Sequence, residues 1–262
     1  MIQEHSQIPW ITPEMAREAI RDGNGAGVRS AVVDSGIEAD HPDFAGMKLS
    51  DNVGVGEDDG RIVIREGDGG DVYGHGTAVA GIIHSLAPEA EIGSFRVLDA
   101  RNLSRTALIQ VGIFEAIRRG YNILNCSFGC KGLPKYVFPH KQWIDEAYVN
   151  GVHVIAACNN IDPREPEWPA HFPSVLSVSI ASAEEVERLS QATSFVHHPG
   201  ELVELAARGE NVEVSWIGKG KRTETGSSFA APVLSGIVAR LISEHPGLPP
   251  AHVSDLLPRL AE

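Results

Sequence analysis

Apolar residues fall into two rhythms along this chain. Short, nearly unbroken runs, VRSAVVDSG, EIGSFRVL, NILNCSFG, GVHVIAACN, SVLSVSIA and LVELAARG, have the length and composition of strands buried on both faces. Between them stand segments such as TALIQVGIFEAIRRG and PHKQWIDEAYVNG, where apolar residues recur three and four positions apart and a glycine closes the far end, as in amphipathic helices. Strands alternating with helices predict an α/β fold: a mostly parallel central sheet with helices on both faces. Neither a repeat nor a linker-like stretch interrupts the pattern, so residues 1–262 are expected to form a single domain. DNVGVGEDDGRIVIREGDGGDVYG, residues 51–74, is rich in Gly and Asp and reads as an exposed loop or hairpin.

Two strands, AVVDSG and VIAACN, end in a polar residue where the chain turns, and open parallel sheets bind ligands outside the carboxyl ends of their strands. Asp34 closes the first. His75 stands between Gly74 and Gly76 at the start of the apolar segment GHGTAVAGIIHSL. In TETGSSFAAPVLSGIVARLI, Gly226-Ser227-Ser228 leads into Phe229, Val233, Ile237 and Leu241 at helical spacing. Each residue has an ordinary reading taken alone: a turn aspartate, a packed histidine, a helix cap. Together, Asp34, His75 and Ser228 supply what amide hydrolysis at neutral pH requires, a nucleophile, a base for its proton and a carboxylate that orients the base.

Composition narrows the partners. The net charge of −13, from 35 Asp+Glu against 22 Lys+Arg, repels nucleic acid and anionic membranes, so neither is expected as a partner. With 42% hydrophobic residues, the 262-residue chain can bury roughly three-quarters of its unfolded surface. Three cysteines make no disulfide framework and read as reduced thiols. The first thirty residues, MIQEHSQIPWITPEMAREAIRDGNGAGVRS, hold no apolar run of signal-peptide length. A soluble cytoplasmic protein is the expectation. The spacing of Cys126 and Cys130 is weak for zinc without a second pair, and His84 and the His197-His198 pair have no partner at metal-ligand spacing.

The wording around the three residues resembles the subtilisin-like serine proteases. VVDSGIEADHPDF, GHGTAVAGI and GSSFAAPVLSG resemble that family's Asp, His and Ser blocks, with Ser227 where threonine is usual. NCSFG resembles the edge segment that pairs with substrate backbone, VIAACNN the oxyanion segment, and WPAHFPSVLSVS the stretch after the substrate pocket; the order holds from about residue 8 to residue 246. The resemblance implies a peptide or protein substrate, Ser228 as nucleophile at a helix start, and Asn159 as side-chain donor to the oxyanion. It places Ser127, Phe128 and Gly129 along the substrate backbone, and Ala157 and Cys158 in the wall of the pocket for the residue preceding the cut. Glu167 falls at the floor of that pocket, where a carboxylate favours Lys or Arg. The segment from Asn160 to Glu167 is shorter than in typical members, so a Glu167 facing solvent is the alternative.

The chain also departs from the family. Its Asp block follows Met1 too closely for the long prodomain of secreted members, so it folds unaided or a leader was removed. GIIHSL passes into APEAEIGSF without room for the family's calcium loop, and Asp43 matches a calcium ligand whose loop partners are missing. Neither metal nor cofactor is expected. A peptide transferase or macrocyclase on the same acyl-enzyme chemistry, and an inactive protease-like binding module, are the competing functions.

Overall fold

The computed structural model describes residues 10–261; the ends of the expected domain, residues 1–9 and 262, lie outside them. From the N-terminus run α1 (Pro13–Asp22), β1 (Arg29–Asp34), β2 (Lys48–Asp58), β3 (Arg61–Glu66), α2 (His75–Leu86), β4 (Glu91–Arg96), α3 (Thr106–Arg118), β5 (Ile123–Cys126), β6 (Cys130–Lys131), α4 (Val137–Val149) and β7 (His153–Ala157). There follow β8 (Glu167–Trp168), β9 (Leu176–Ile180), α5 (Ala183–Arg188), β10 (Val196–His197), β11 (Leu205–Ala207), β12 (Val212–Trp216), β13 (Gly220–Glu224), α6 (Ser227–Glu244) and α7 (Pro250–Leu256). The six apolar runs became β1, β4, β5, β7, β9 and β11.

These strands form the spine of a nine-stranded sheet in the order β10-β11-β9-β7-β5-β1-β4-β2-β3. Pairing is parallel from β11 to β2 and antiparallel only at the edges, where β10 and β3 are added. Ala31, Val32 and Val33 of β1 are fully buried because helices cover both faces. On one side α6 packs with α1 and α7, its Leu234, Ile237, Val238 and Leu241 in the same apolar cluster as Ile155 and Val178 of the sheet. On the other, Ile113 of α3 and Trp143 of α4 join Leu124 and Phe95. The Gly- and Asp-rich stretch supplies the β2–β3 hairpin, turned through Asp59 and Gly60, whose positive φ values suit the tight turn of a two-residue hairpin loop. β12 and β13 form a second hairpin, packed on α2. Parallel order puts the carboxyl ends of β1, β5 and β7 side by side, and α2 and α6 begin at that end.

Candidate active site

Asp34 is the last residue of β1 and wholly buried. His75 is the first residue of α2, and its Nδ1 lies 2.8 and 2.9 Å from the two carboxylate oxygens of Asp34. A carboxylate only accepts, so Nδ1 carries the proton and Nε2 is left as the basic nitrogen. Close approach explains the glycines beside His75. A Cβ on Gly76 would stand 2.1 Å from the carbonyl oxygen of Gly36, and Gly74 has φ 119° with Trp216 of β12 against its Cα. The imidazole is buried, which disfavours its charged form. The charge and hydrogen bond of Asp34, followed by the charges of Asp71 and Glu224, outweigh that and raise its pKa above the ordinary value.

Ser228 is the second residue of α6, whose N-cap is Gly226. Its Oγ donates to the Ser127 carbonyl at 3.2 Å, and the Ser127 hydroxyl donates to the Ser228 carbonyl at 2.9 Å. That carbonyl is free because Pro232, one turn on inside α6, has no N–H to offer it. Asn125 holds Ser127 from below at 2.9 Å and accepts from the Ser235 hydroxyl at 2.9 Å, so the end of β5 and the start of α6 are fastened by buried bonds. The ring of His75 lies 5.5 Å from that of Phe229, the residue after Ser228. Among the described residues the Ser228 hydroxyl makes no hydrogen bond to His75, and its backbone N–H finds no acceptor.

Ser228 borders a cavity of about 250 Å³. Every expected pocket residue, Ser127, Phe128, Gly129, Ala157, Cys158 and Glu167, lines it, as do Leu98, Asn102 and Asn160, which sequence reasoning did not single out. Glu167 lies on β8, paired with β6, and its Oε2 rests against the bare Cα of Gly129. Burial raises its pKa, offset in part by an Asn159 hydrogen bond at 3.2 Å and by the charge of His171. Among the described residues no cation pairs with it. The Cys158 thiol, buried in the wall, is pushed up to about 12 by burial and then by the charge of Glu167.

Asn159, expected as the oxyanion donor, has its carboxamide engaged in the turn that follows β7. Its Oδ1 accepts from the backbone N–H groups of Ile161 and Asp162 at 2.8 and 3.1 Å, and its Nδ2 donates to Glu167. Both ends of the carboxamide are occupied in the turn after β7, and the side chain does not border the cavity. The carboxamide that reaches the start of α6 is that of Asn160, which lines the cavity with Ser228: its Oδ1 accepts from the Ser227 N–H at 2.7 Å, which leaves Nδ2 without an acceptor among the described residues. The Ser227 hydroxyl donates to the Cys158 carbonyl at 2.6 Å, a local tie.

A sequence profile of the subtilase family matches residues 25–261. The chain belongs to the subtilase family of serine proteases. It is 31% identical over 247 residues to the major intracellular serine protease of Bacillus subtilis, covering 88% of this chain and 72% of that one. It is 28% identical over 252 residues to a thermostable alkaline protease of Halalkalibacterium halodurans, covering 91% of this chain and 64% of the relative's length. The fold matches the crystal structure of a cold-adapted subtilisin-like serine proteinase with a TM-score of 0.71 at 24% identity, over 91% of this chain and 83% of that one.

In this subtilase Asp43, which the resemblance aligns with a calcium ligand, accepts from the Ser215 hydroxyl at 2.8 Å and lies 3.7 Å from the Lys221 ammonium. His197 and His198 pair with Glu204 and Glu185, and His84 is half-buried with its pKa lowered by that burial. Cys126 is buried beneath the site and Cys130 is partly exposed, both free. No helix of the described residues is long and apolar enough to cross a membrane.

Proposed function

We propose that this subtilase is an endopeptidase that cleaves peptide or protein chains after Lys or Arg through an acyl-enzyme on Ser228. The carrying observation is one cavity lined both by Ser228 and by a half-buried carboxylate, Glu167, with no cation of its own among the described residues. An ammonium or guanidinium entering there gains a charge-assisted hydrogen bond, whereas an apolar side chain leaves the carboxylate unpaired. The net charge of −13 adds a long-range pull on cationic substrates.

In the reaction, the Ser228 hydroxyl turns from the Ser127 carbonyl toward Nε2 of His75, gives up its proton there and attacks the carbonyl carbon of the scissile bond. Asp34 holds the imidazole in the tautomer needed and stabilises the imidazolium that forms. Negative charge on the substrate oxygen is met by the free N–H of Ser228, aided by the positive end of the α6 dipole, and by Nδ2 of Asn160. The imidazolium then protonates the leaving amine, and water, deprotonated by His75, releases the acyl group. An intracellular setting fits the three free cysteines and the likeness to a relative named as intracellular.

The test compares peptides carrying Arg or Phe before a reporter group, for the wild type and Glu167→Gln. Arg should be preferred by roughly tenfold or more, and the preference should collapse in the variant, since one charged hydrogen bond changes a rate by that much. A wild type that prefers Phe, or an Arg preference that outlives the substitution, removes Glu167 from specificity.

A further inference from the structure

Behind the Asp34–His75 pair lies a second carboxylate that neither the triad nor the pocket uses. Asp71 belongs to the loop leading into α2, four residues before His75, and it has no cation partner among the described residues. Its carboxylate is nevertheless fully engaged. Oδ1 accepts from the Ser35 hydroxyl at 2.8 Å and from the backbone N–H groups of Tyr73 and Gly74 at 2.9 and 2.8 Å. Oδ2 accepts from both the N–H, at 2.9 Å, and the hydroxyl of Thr77. The Thr77 hydroxyl in turn accepts the Glu38 N–H at 2.9 Å.

Ser35 closes the circuit. Its N–H donates to Asp34 Oδ1 at 2.7 Å, and its hydroxyl accepts the N–H of Gly76, the residue after His75, at 3.0 Å. One carboxylate therefore ties the residue that follows Asp34 at the end of β1 to the first turn that carries His75. A helix start leaves its first N–H groups without intrahelical partners, and Gly74 at the N-cap has no side chain to satisfy them. Asp71 accepts the Thr77 N–H from outside the helix, the Ser35 hydroxyl that donates to Asp71 accepts that of Gly76, and the carboxylate brings a negative charge to the end of α2 that bears the imidazole. The groups that act electrostatically on His75 come from three elements: Asp34 on β1, Asp71 on the loop and Glu224 on β13.

We propose that Asp71 is a positioning residue for catalysis, fixing His75 against Asp34 through Ser35 and Thr77. The inference rests on His75 being the general base. Asn at position 71 keeps the volume, removes the charge and cannot accept from Thr77 with its amino end.

The experiment measures kcat, KM and the pH profile of kcat/KM for the wild type, Asp71→Asn, Ser35→Ala and the double variant, together with the titration of the His75 ring followed by NMR. For Asp71→Asn, kcat should fall by ~10- to 100-fold, the scale of a lost orienting partner, with KM held within about twofold. The acid limb and the NMR titration should both move to lower pH, because the imidazolium has lost a favourable charge. Ser35→Ala should lower kcat, and the double variant should fall little below Asp71→Asn, since the two act through one circuit. A loss of activity that tracks melting temperature while the limb and the NMR titration stay in place would reduce Asp71 to a structural cap and overturn the proposal. Unchanged kcat and unchanged limb overturn it as well. Should Asp71→Asn fail to fold, Ser35→Ala decides alone: kcat lowered at constant KM supports the circuit, and normal kcat refutes it. A wild type whose activity ignores the His75 titration sinks the general-base reading instead, and the proposal with it.

Discussion

The corner that holds Asp34, His75 and Ser228 and the wall that runs from Cys158 to Glu167 meet at one cavity, lined by Ser228 from the first and by Cys158 and Glu167 from the second, yet they are built on opposite plans. The corner is over-determined, with Asp34 and His75 buried and Ser228 partly exposed. Asp34 is held by His75 and the Ser35 N–H, Gly76 is pressed against the Gly36 carbonyl, and Ser127 and Ser228 exchange bonds in both directions. The wall is a turn followed by a two-residue strand, with Asn160 exposed and Glu167 half-exposed. Rigid elements fix reacting groups to the tolerance chemistry requires, while a loop can change which side chain is admitted without disturbing them. In the proposed function the corner carries the reaction and the wall carries the choice of substrate.

If that division is right, substitutions in the corner should abolish turnover for every substrate. Ser228→Ala should lower kcat by ~10⁴-fold or more, and the loss of one helix-start hydroxyl should cost only about 1 kcal/mol of stability, measured by thermal unfolding. Retained turnover would remove the nucleophile. The two asparagines divide the wall next. Asn160→Ala should lower kcat by about 10² to 10³, a scale measured on a subtilisin and carried over here, with KM barely moved. Asn159→Ala should change kcat by less than about tenfold and act on the Arg-to-Phe ratio instead, because it frees Glu167 from its hydrogen bond. The reverse order would return the oxyanion role to Asn159.

Titration separates the two regions again. Activity toward any substrate should rise as pH climbs through the His75 titration, which lies above the ordinary imidazole value because the proton is favoured there. Below it His75 is protonated and cannot act as base. Glu167 is also raised, so Arg substrates should lose a further factor as pH falls through its titration, while Phe substrates should not. Parallel acid limbs for the two substrates would contradict a charged floor. The smallest effect is at Cys158: with its pKa pushed up to about 12, alkylation at neutral pH should run at least ~10-fold slower than for a free thiol, and the adduct should block the pocket. Rapid labelling would show a thiol far more open than its place in the wall allows.

The same contrast explains what was legible in the sequence. The six inner strands announce themselves as apolar runs because both faces are covered, and Gly74, Gly76 and Gly226 mark the turns where α2 and α6 begin. α1 is quieter, since only Ala16, Ala19 and Ile20 are buried, although Thr12 and Pro13 are sound start signals. β12 and β13 carry mostly partly exposed or polar residues and show no clean alternation. At the wall the sequence offers two adjacent asparagines and no periodicity to choose between them; the turn at Ile161 and Asp162, which engages Asn159, appears only in the fold, and it is why the oxyanion role is proposed for Asn160. Asp71 went unnoticed because one aspartate in a Gly- and Asp-rich stretch looks like any other until the fold brings Ser35 and Thr77 to it.

The most direct test of the division is to treat the folded protein with a peptidyl phosphonate carrying Arg and to map the adduct by mass spectrometry, for wild type and Glu167→Gln. The expected result is a single adduct on Ser228 in both proteins, formed faster as pH rises through the His75 titration and at least roughly tenfold more slowly in the variant, where the floor no longer draws the guanidinium. An adduct on Ser227 or elsewhere, or a folded wild type that takes no label, would contradict the assignment of Ser228 as the attacking residue.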